Sequence, residues 1–187
     1  MKKMPTLFVR EFPDKQTVIL TTQVHPDCEW VIAGEGRATQ KVDGTCCLLS
    51  GGKLFKRYDA KHGKTPPVDF VPAQPEADPV TGHWPGWVPV VAQDKWHVEA
   101  WERITPASLD GTYELIGPKI NGNPEGWHRH ELWSHDYMPT IPDCPRTLNG
   151  LREFLAPWDV EGIVWHHPDG RRAKIKKSDF GMPRKPR

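Results

Sequence analysis

The sequence predicts an α+β domain, and three observations carry that expectation. Short β-branched and apolar runs dominate the 187 residues, and helical periodicity is confined to two stretches. Strands do not alternate with helices in the way a parallel βαβ sheet requires.

The elements follow in chain order. Residues 6–9, 17–21, 29–33 and 38–42 are short runs of strand-forming composition. Residues 45–50 and 53–58 flank Gly51-Gly52, a pair that can take the positive φ angles of a tight hairpin turn. Residues 65–89 carry seven prolines and two tryptophans with little periodicity. They are expected to form a surface excursion without regular structure, reaching to about residue 96. Residues 96–104 place Val98, Trp101 and Ile104 at helical spacing, and 112–116 and 131–134 return to strand composition. Over 147–155, Leu148, Leu151, Phe154 and Leu155 share one helical face, with Thr147 placed to cap the start and Pro157 to end it. Residues 162–166 and 173–177 predict a second hairpin across Pro168-Asp169-Gly170. A single domain over 1–187 is expected from the length.

Composition removes several function classes. With 25 basic and 24 acidic residues the net charge is only +1, which argues against a strongly basic coat protein. The total hides an asymmetry: residues 171–187 hold eight basic residues and one acid, so the remaining 170 sum to −6. The last of these, 178–187, are expected to form a short basic tail in which Arg184, Lys185 and Arg187 are solvated. No apolar run approaches a membrane span, and the first ten residues are too short in apolar content for a signal peptide. Cys28, Cys46, Cys47 and Cys144 form no Cys-x-x-Cys pair, the pattern of reduced thiols in a cytoplasmic protein.

The sharpest local feature is Lys41-Val42-Asp43-Gly44-Thr45, a lysine at a strand end before a turn. An amine becomes a nucleophile when nearby positive charge or desolvation favours its neutral form. A surface lysine ahead of an Asp-Gly turn is the plain alternative. Three further features accompany it. Glu114 lies in the apolar run Tyr113-Glu114-Leu115-Ile116-Gly117, and Glu161 heads Glu161-Gly162-Ile163-Val164. Lys174 and Lys176 share one face of a strand, because side chains alternate.

In this order, Lys-x-Asp-Gly, Glu-Leu-x-Gly, Glu-Gly-Ile-Val and Lys-x-Lys resemble motifs I, III, IV and V of the covalent nucleotidyltransferases. That superfamily comprises the ATP-dependent DNA and RNA ligases and the mRNA capping enzymes. Lys41 to Cys47, Tyr113 to Pro118 with Asn121-Gly122-Asn123-Pro124, and Lys174 to Lys177 are together similar to the ATP-dependent 5′-to-3′ RNA ligases of the vertebrate type. The resemblance spans about residues 29–180.

It implies a nucleotidyltransferase (adenylation) domain of antiparallel sheets with flanking helices, with ATP and Mg²⁺ or Mn²⁺ as cofactors. Lys41 would attack the α-phosphorus of ATP and carry AMP, which passes to the 5′-phosphate of RNA and is displaced by a 3′-hydroxyl, in the manner of RNA repair. Asp43 and Gly44 would shape the turn presenting Lys41, and Arg57 would contact ribose and phosphates. Glu114 would bond the ribose hydroxyls or support the metal. Glu161 would bind the metal, and Lys174 and Lys176 the phosphates. Trp133 falls near the place where these ligases stack an aromatic on adenine, and a core role suits it equally.

Two departures bear on this. Thr39 stands where many DNA ligases have a glutamate that reads adenine. Only ten residues follow Lys177, so no OB-fold domain is expected; substrate choice is then expected from the domain surface or an accessory protein. A catalytically silent RNA-binding module of the same fold and a capping-type guanylyltransferase are the alternatives. His128, His130 and His135 are read as packing or RNA-contact residues in preference to metal ligands.

Overall fold

Alternating side chains and glycine turns build most of the elements. The computed structural model describes residues 4–14, 17–79, 81–104 and 110–184. The strands β1 (Phe8–Glu11) and β2 (Ile19–Val24) form an antiparallel pair. Residues 29–33, expected as a strand, instead give the one-turn helix α1 (Glu29–Ile32), directly after a 3-10 turn at Pro26–Cys28. The cause is local: His25 caps the turn by accepting from the Asp27 N–H, proline fixes its first φ, and the Trp30 indole donates to the Asp27 carbonyl at 2.8 Å.

Next come β3 (Arg37–Lys41), β4 (Thr45–Ser50) and β5 (Lys53–Ala60). The β4–β5 turn uses Gly51 and Gly52 at φ of 55° and 72°, as their composition predicts. The excursion is more regular than expected. It contains β6 (Val71–Pro72) and the six-residue β7 (Trp84–Pro89), which pairs with β5 from Phe55 to Ala60. Its prolines are tolerated because β7 has one long partner, with only the two-residue β6 on its other side. The remaining elements are α2 (Lys95–Trp101), β8 (Gly111–Ile116), β9 (Glu131–Ser134), α3 (Leu148–Leu155), β10 (Gly162–His166) and β11 (Arg172–Lys176). The Thr147 hydroxyl accepts from the Gly150 N–H at 3.2 Å and caps α3 as predicted.

Antiparallel sheets with few helices confirm the α+β class. The chain divides into two compact units, Met4–Val42 with Met138–Arg187, and Asp43–Tyr137. The first unit holds the β1–β2 pair and a three-stranded sheet of order β11-β10-β3. One face of that sheet sends Ala38, Ile163, Trp165, Ala173 and Ile175 into a core closed by Trp30 and Val31 of α1 and Leu151 and Leu155 of α3. Each such large side chain contributes about 1.5–3 kcal/mol by leaving water. The second unit is a six-stranded sheet of order β6-β7-β5-β4-β8-β9. Its core joins Cys47, Leu49, Leu54, Tyr113 and Leu115 to Ala100 of α2 and to Ile120.

No disulfide joins any of the four cysteines, and among the described residues no helix is long and apolar enough to cross a membrane. Arg184, expected in the solvated tail, is largely buried and pairs with Asp159 at 3.4 Å. Lys185 and Arg187 lie outside the described residues.

Candidate active site

Four of the predicted site residues meet on one sheet face in the first unit. The buried alternates Ala38, Ile163, Ala173 and Ile175 point to the core, so the intervening residues point the other way. The register then sets them in rows. Lys41 and Lys176 both lie opposite Gly162, one from each side, and Thr39 and Lys174 both lie opposite Val164. Arg37 and Arg172 flank His166 in the third row. Strand pairing alone gathers five cations onto three short strands.

Glu161 stands at the head of β10 against the first row. The Lys41 ammonium donates to its Oε2, and the Lys176 ammonium pairs with Oε1 at 2.6 Å. The glutamate side chain is only 15% exposed. Burial pushes its carboxyl up, but Lys41 and then Lys176 outweigh burial and hold it below the usual range, so it is charged at neutral pH. Gly162 makes the arrangement feasible. A Cβ there would come within 2.0 Å of the Ile175 carbonyl oxygen and 2.8 Å of the Lys176 Cα, so any side chain would push β11 away from β10.

Lys174 has the clearest electrostatic signature. Burial first, and then the charges of Lys176, Lys41 and Arg10, lower its pKa to about 8. Arg10 was not visible as a site residue in the sequence. The backbone brings it close: the Leu7 N–H donates to the Lys174 carbonyl at 2.8 Å, and Arg10 pairs at 3.4 Å with buried Asp179. The other oxygen of Asp179 accepts the Lys176 backbone N–H at 2.8 Å. One carboxylate therefore ties Arg10 to the end of the lysine strand.

The other predicted residues lie in the second unit. Glu114 sits on β8, opposite Cys46 on β4 and Trp133 on β9. Its Oε1 accepts the Gly44 N–H at 3.1 Å, and its Oε2 meets His135 Nε2 at 3.0 Å. Gly44 is required here, since a Cβ would lie 2.2 Å from the Leu115 carbonyl oxygen and 2.8 Å from Glu114 Cγ. The Asp43 N–H donates to Glu125 at 2.8 Å. The Asn121 amide donates to Asp43 Oδ1 at 3.0 Å and to the Gly44 carbonyl at 2.8 Å. The Asp43-Gly44 turn is therefore clamped by the Asn-Gly-Asn-Pro loop, whose Asn121 and Asn123 have φ of 48° and 59°.

Arg57 lies on β5 opposite Trp87, and its guanidinium stacks 5.3 Å from that ring's centroid. Continuing the β4–β5 register by one residue from Cys47–Lys56 puts Arg57 in line with Cys46 and Glu114. Trp133 belongs to the same row. It is half-buried, outside the core cluster, with its indole donating to Glu131 at 3.1 Å and Trp127 edge-on at 5.2 Å. The three histidines have separate surroundings. His128 is exposed, while His130 is buried against Trp96 and pairs with Glu99 at 2.7 Å. Only His135 reaches Glu114.

Both carboxylates suit a predicted ligand chemistry. Glu161 offers a charged, hard oxygen pair among cations that balance phosphate, and one carboxylate with waters is the usual protein share of a magnesium site. Glu114 offers an acceptor held in place on both oxygens.

No family model matches the sequence. Curated relatives do. The chain is 30% identical to RNA ligase 1 of Rattus norvegicus, over 78% of this chain and 67% of the relative. RNA ligase 1 of Mus musculus matches at the same identity and coverage. RNA ligase 1 of Pongo abelii is 27% identical over 97% of this chain and 81% of the relative. A likeness of this extent, added to four motifs in order, makes the chain a member of the RNA ligase family.

Proposed function

We propose that the chain is an ATP-dependent RNA ligase that seals 5′-phosphate and 3′-hydroxyl RNA ends through an AMP adduct on Lys41, in the service of RNA repair. The observation that carries the reading is the convergence of Lys41, Lys176 and Glu161 beside Lys174. A lone surface lysine would have no reason to share a half-buried carboxylate with a second lysine.

Chemistry follows from those charges. Attack requires a neutral amine from a group whose ordinary pKa is about 10.4. The attacking Lys41 amine gives its proton to solvent, and Lys174, Lys176 and Arg10 put positive charge beside the phosphate it attacks. The Lys41 Nζ–P bond forms as the bond from the α-phosphorus to pyrophosphate breaks, and the lysine strand balances the charge gathering on the phosphate oxygens. A divalent cation at Glu161 would supply Lewis acidity at the same phosphate. Glu161 is the residue that would hold that ion, in place of its pairing with Lys41. The Asp43-Gly44 turn orients Lys41, Glu114 accepts from ribose hydroxyls, and Arg57 meets ribose or phosphate oxygens. Transfer to the RNA 5′-phosphate and attack by the 3′-hydroxyl complete the sealing.

Intact mass spectrometry tests this directly. Incubation with ATP and Mg²⁺ should add one AMP, and Lys41→Ala should abolish the adduct. RNA binding with no nucleotide adduct would instead mark a silent RNA-binding module, and a GMP adduct in preference to AMP would mark a capping-type enzyme.

A further inference from the structure

Cys46 and His135 have no part in the adenylation chemistry, yet they flank the glutamate proposed to hold the ribose. Cys46 Sγ, a Glu114 carboxylate oxygen and a His135 ring nitrogen all lie within 4.8 Å of one another. They come from three places, 46, 114 and 135, brought together because β4 pairs with β8 and the chain after β9 returns over β8. All three are half-buried, neither sealed in the core nor splayed into solvent.

The donor set has a definite preference. A thiolate, an imidazole and a carboxylate suit zinc and similar borderline ions, whereas magnesium takes oxygen donors and leaves thiolates alone. Zinc with bonds of about 2.0–2.3 Å holds tetrahedral donors about 3.3–3.8 Å apart, so closure from within 4.8 Å needs at most about 1.5 Å of movement between any two donors. Glu114 and His135 already stand at 3.0 Å.

The surroundings are those of a ligand histidine. His135 Nδ1 meets the Thr112 hydroxyl at 2.9 Å, which turns Nε2 towards Glu114. A hydroxyl can donate or accept, so Thr112 holds the ring in either tautomer, including the one that offers the Nε2 lone pair to a metal. The Gly44 N–H keeps the other carboxylate oxygen of Glu114 in place. Of the other thiols, Cys28 and Cys47 are buried in the two cores and Cys144 packs against one of them, so these serve packing.

We propose that Cys46, Glu114 and His135 form a binding site for a zinc-class divalent ion, and that an ion bound there blocks self-adenylation by withdrawing Glu114 from the nucleotide. Binding displaces the Cys46 thiol proton to solvent and replaces the Glu114–His135 hydrogen bond with two bonds to the metal. Three protein donors leave a fourth position for water. The binding claim stands by itself; the inhibitory claim rests on the reading of Glu114 as the ribose ligand.

Cobalt(II) titration of the full chain, free of nucleotide, tests the site optically. Expected are visible bands of a tetrahedral ion together with a thiolate-to-metal charge-transfer band. Cys46→Ser should lose the charge-transfer band, and Thr112→Val should weaken cobalt binding about 10- to 100-fold. With magnesium in excess, zinc should then slow AMP-adduct formation in the native chain but not in Cys46→Ser, whose rate without zinc should match the native one. A cobalt spectrum without charge transfer, or one unchanged in Cys46→Ser, overturns the site whether or not the chain adenylates itself. Charge transfer lost in Cys46→Ser, with zinc leaving AMP transfer untouched, upholds the site and removes Glu114 from the nucleotide.

Discussion

Each unit holds one of the two glutamates expected at the site, Glu161 and Glu114, and they are held in opposite ways. In the three-stranded sheet, two ammonium groups grip Glu161, with further cations in the neighbouring rows. In the six-stranded sheet, a backbone N–H and an imidazole hold Glu114, with a thiol beside it. The first environment is one of full charges, so it suits a metal ion and phosphates whose charge changes during reaction. The second is one of dipoles and soft donors, so it suits the fixed hydroxyls of a sugar. The residue type is the same; its partners decide what it can do.

Amide substitution provides the strongest way to break that comparison. Glu161→Gln removes the charge that balances Lys41 and Lys176 and should slow AMP-adduct formation by about 10²- to 10³-fold. Glu114→Gln keeps an acceptor for the Gly44 N–H and loses about one hydrogen bond, so the expected effect is about tenfold and falls mainly on the KM for ATP. Equal losses in rapid-quench assays of the two variants would erase the distinction.

Backbone contact offers a sharper and smaller test. Both glutamates sit beside a glycine whose Cβ would strike a carbonyl oxygen, at 2.0 Å for Gly162 and 2.2 Å for Gly44. Alanine at either should cost about 1–3 kcal/mol of stability in urea melts. Adenylation should suffer more from Gly162→Ala, because parting β10 from β11 moves Lys176 away from Glu161.

The smallest effect is one of pH. Lys174 has a folded pKa of about 8, below its unfolded value, so its charged form is disfavoured by folding. Below pH 8 both states hold the proton, and from there towards 10.4 the unfolded chain binds more, so this group makes stability rise with pH. Replacing Lys174 by Met should flatten that rise in urea melts across pH 8–10. Phosphate binding favours the charged amine, and calorimetry of ATP binding near pH 8.5 in buffers of different ionisation enthalpy should detect proton uptake in the native chain, diminished in the variant.

Much of the lysine sheet was legible in the sequence because its logic is local. Alternation alone puts Lys174 and Lys176 on one face, and Gly51-Gly52 and Thr147 announce a turn and a cap. Motif order singled out Lys41, Glu114 and Glu161 ahead of any register. Other features were hidden for physical reasons. A one-turn helix such as α1 is too short to show a period, and its Trp-Val-Ile composition reads as a strand. Strand β7 was masked by Pro85 and Pro89, tolerated only because that strand has little pairing on one side. Arg10 carries no signal of its own, and the sequence does not show which groups Asn121 and His135 meet, since each acquires its place from a partner at least 21 residues away.

The sequence by itself determined the residue types, their alternation and the order of four motifs, since these depend on neighbours along the chain. From them came the α+β class and the lysine expected to react. Only the tertiary structure decided which charge meets which. Lys41 and Glu161 are 120 residues apart in the chain, and Cys46 and His135 are 89 residues apart. Their pairing is set by hydrogen-bond register between strands, and a shift of one residue would turn every one of these side chains to the other face.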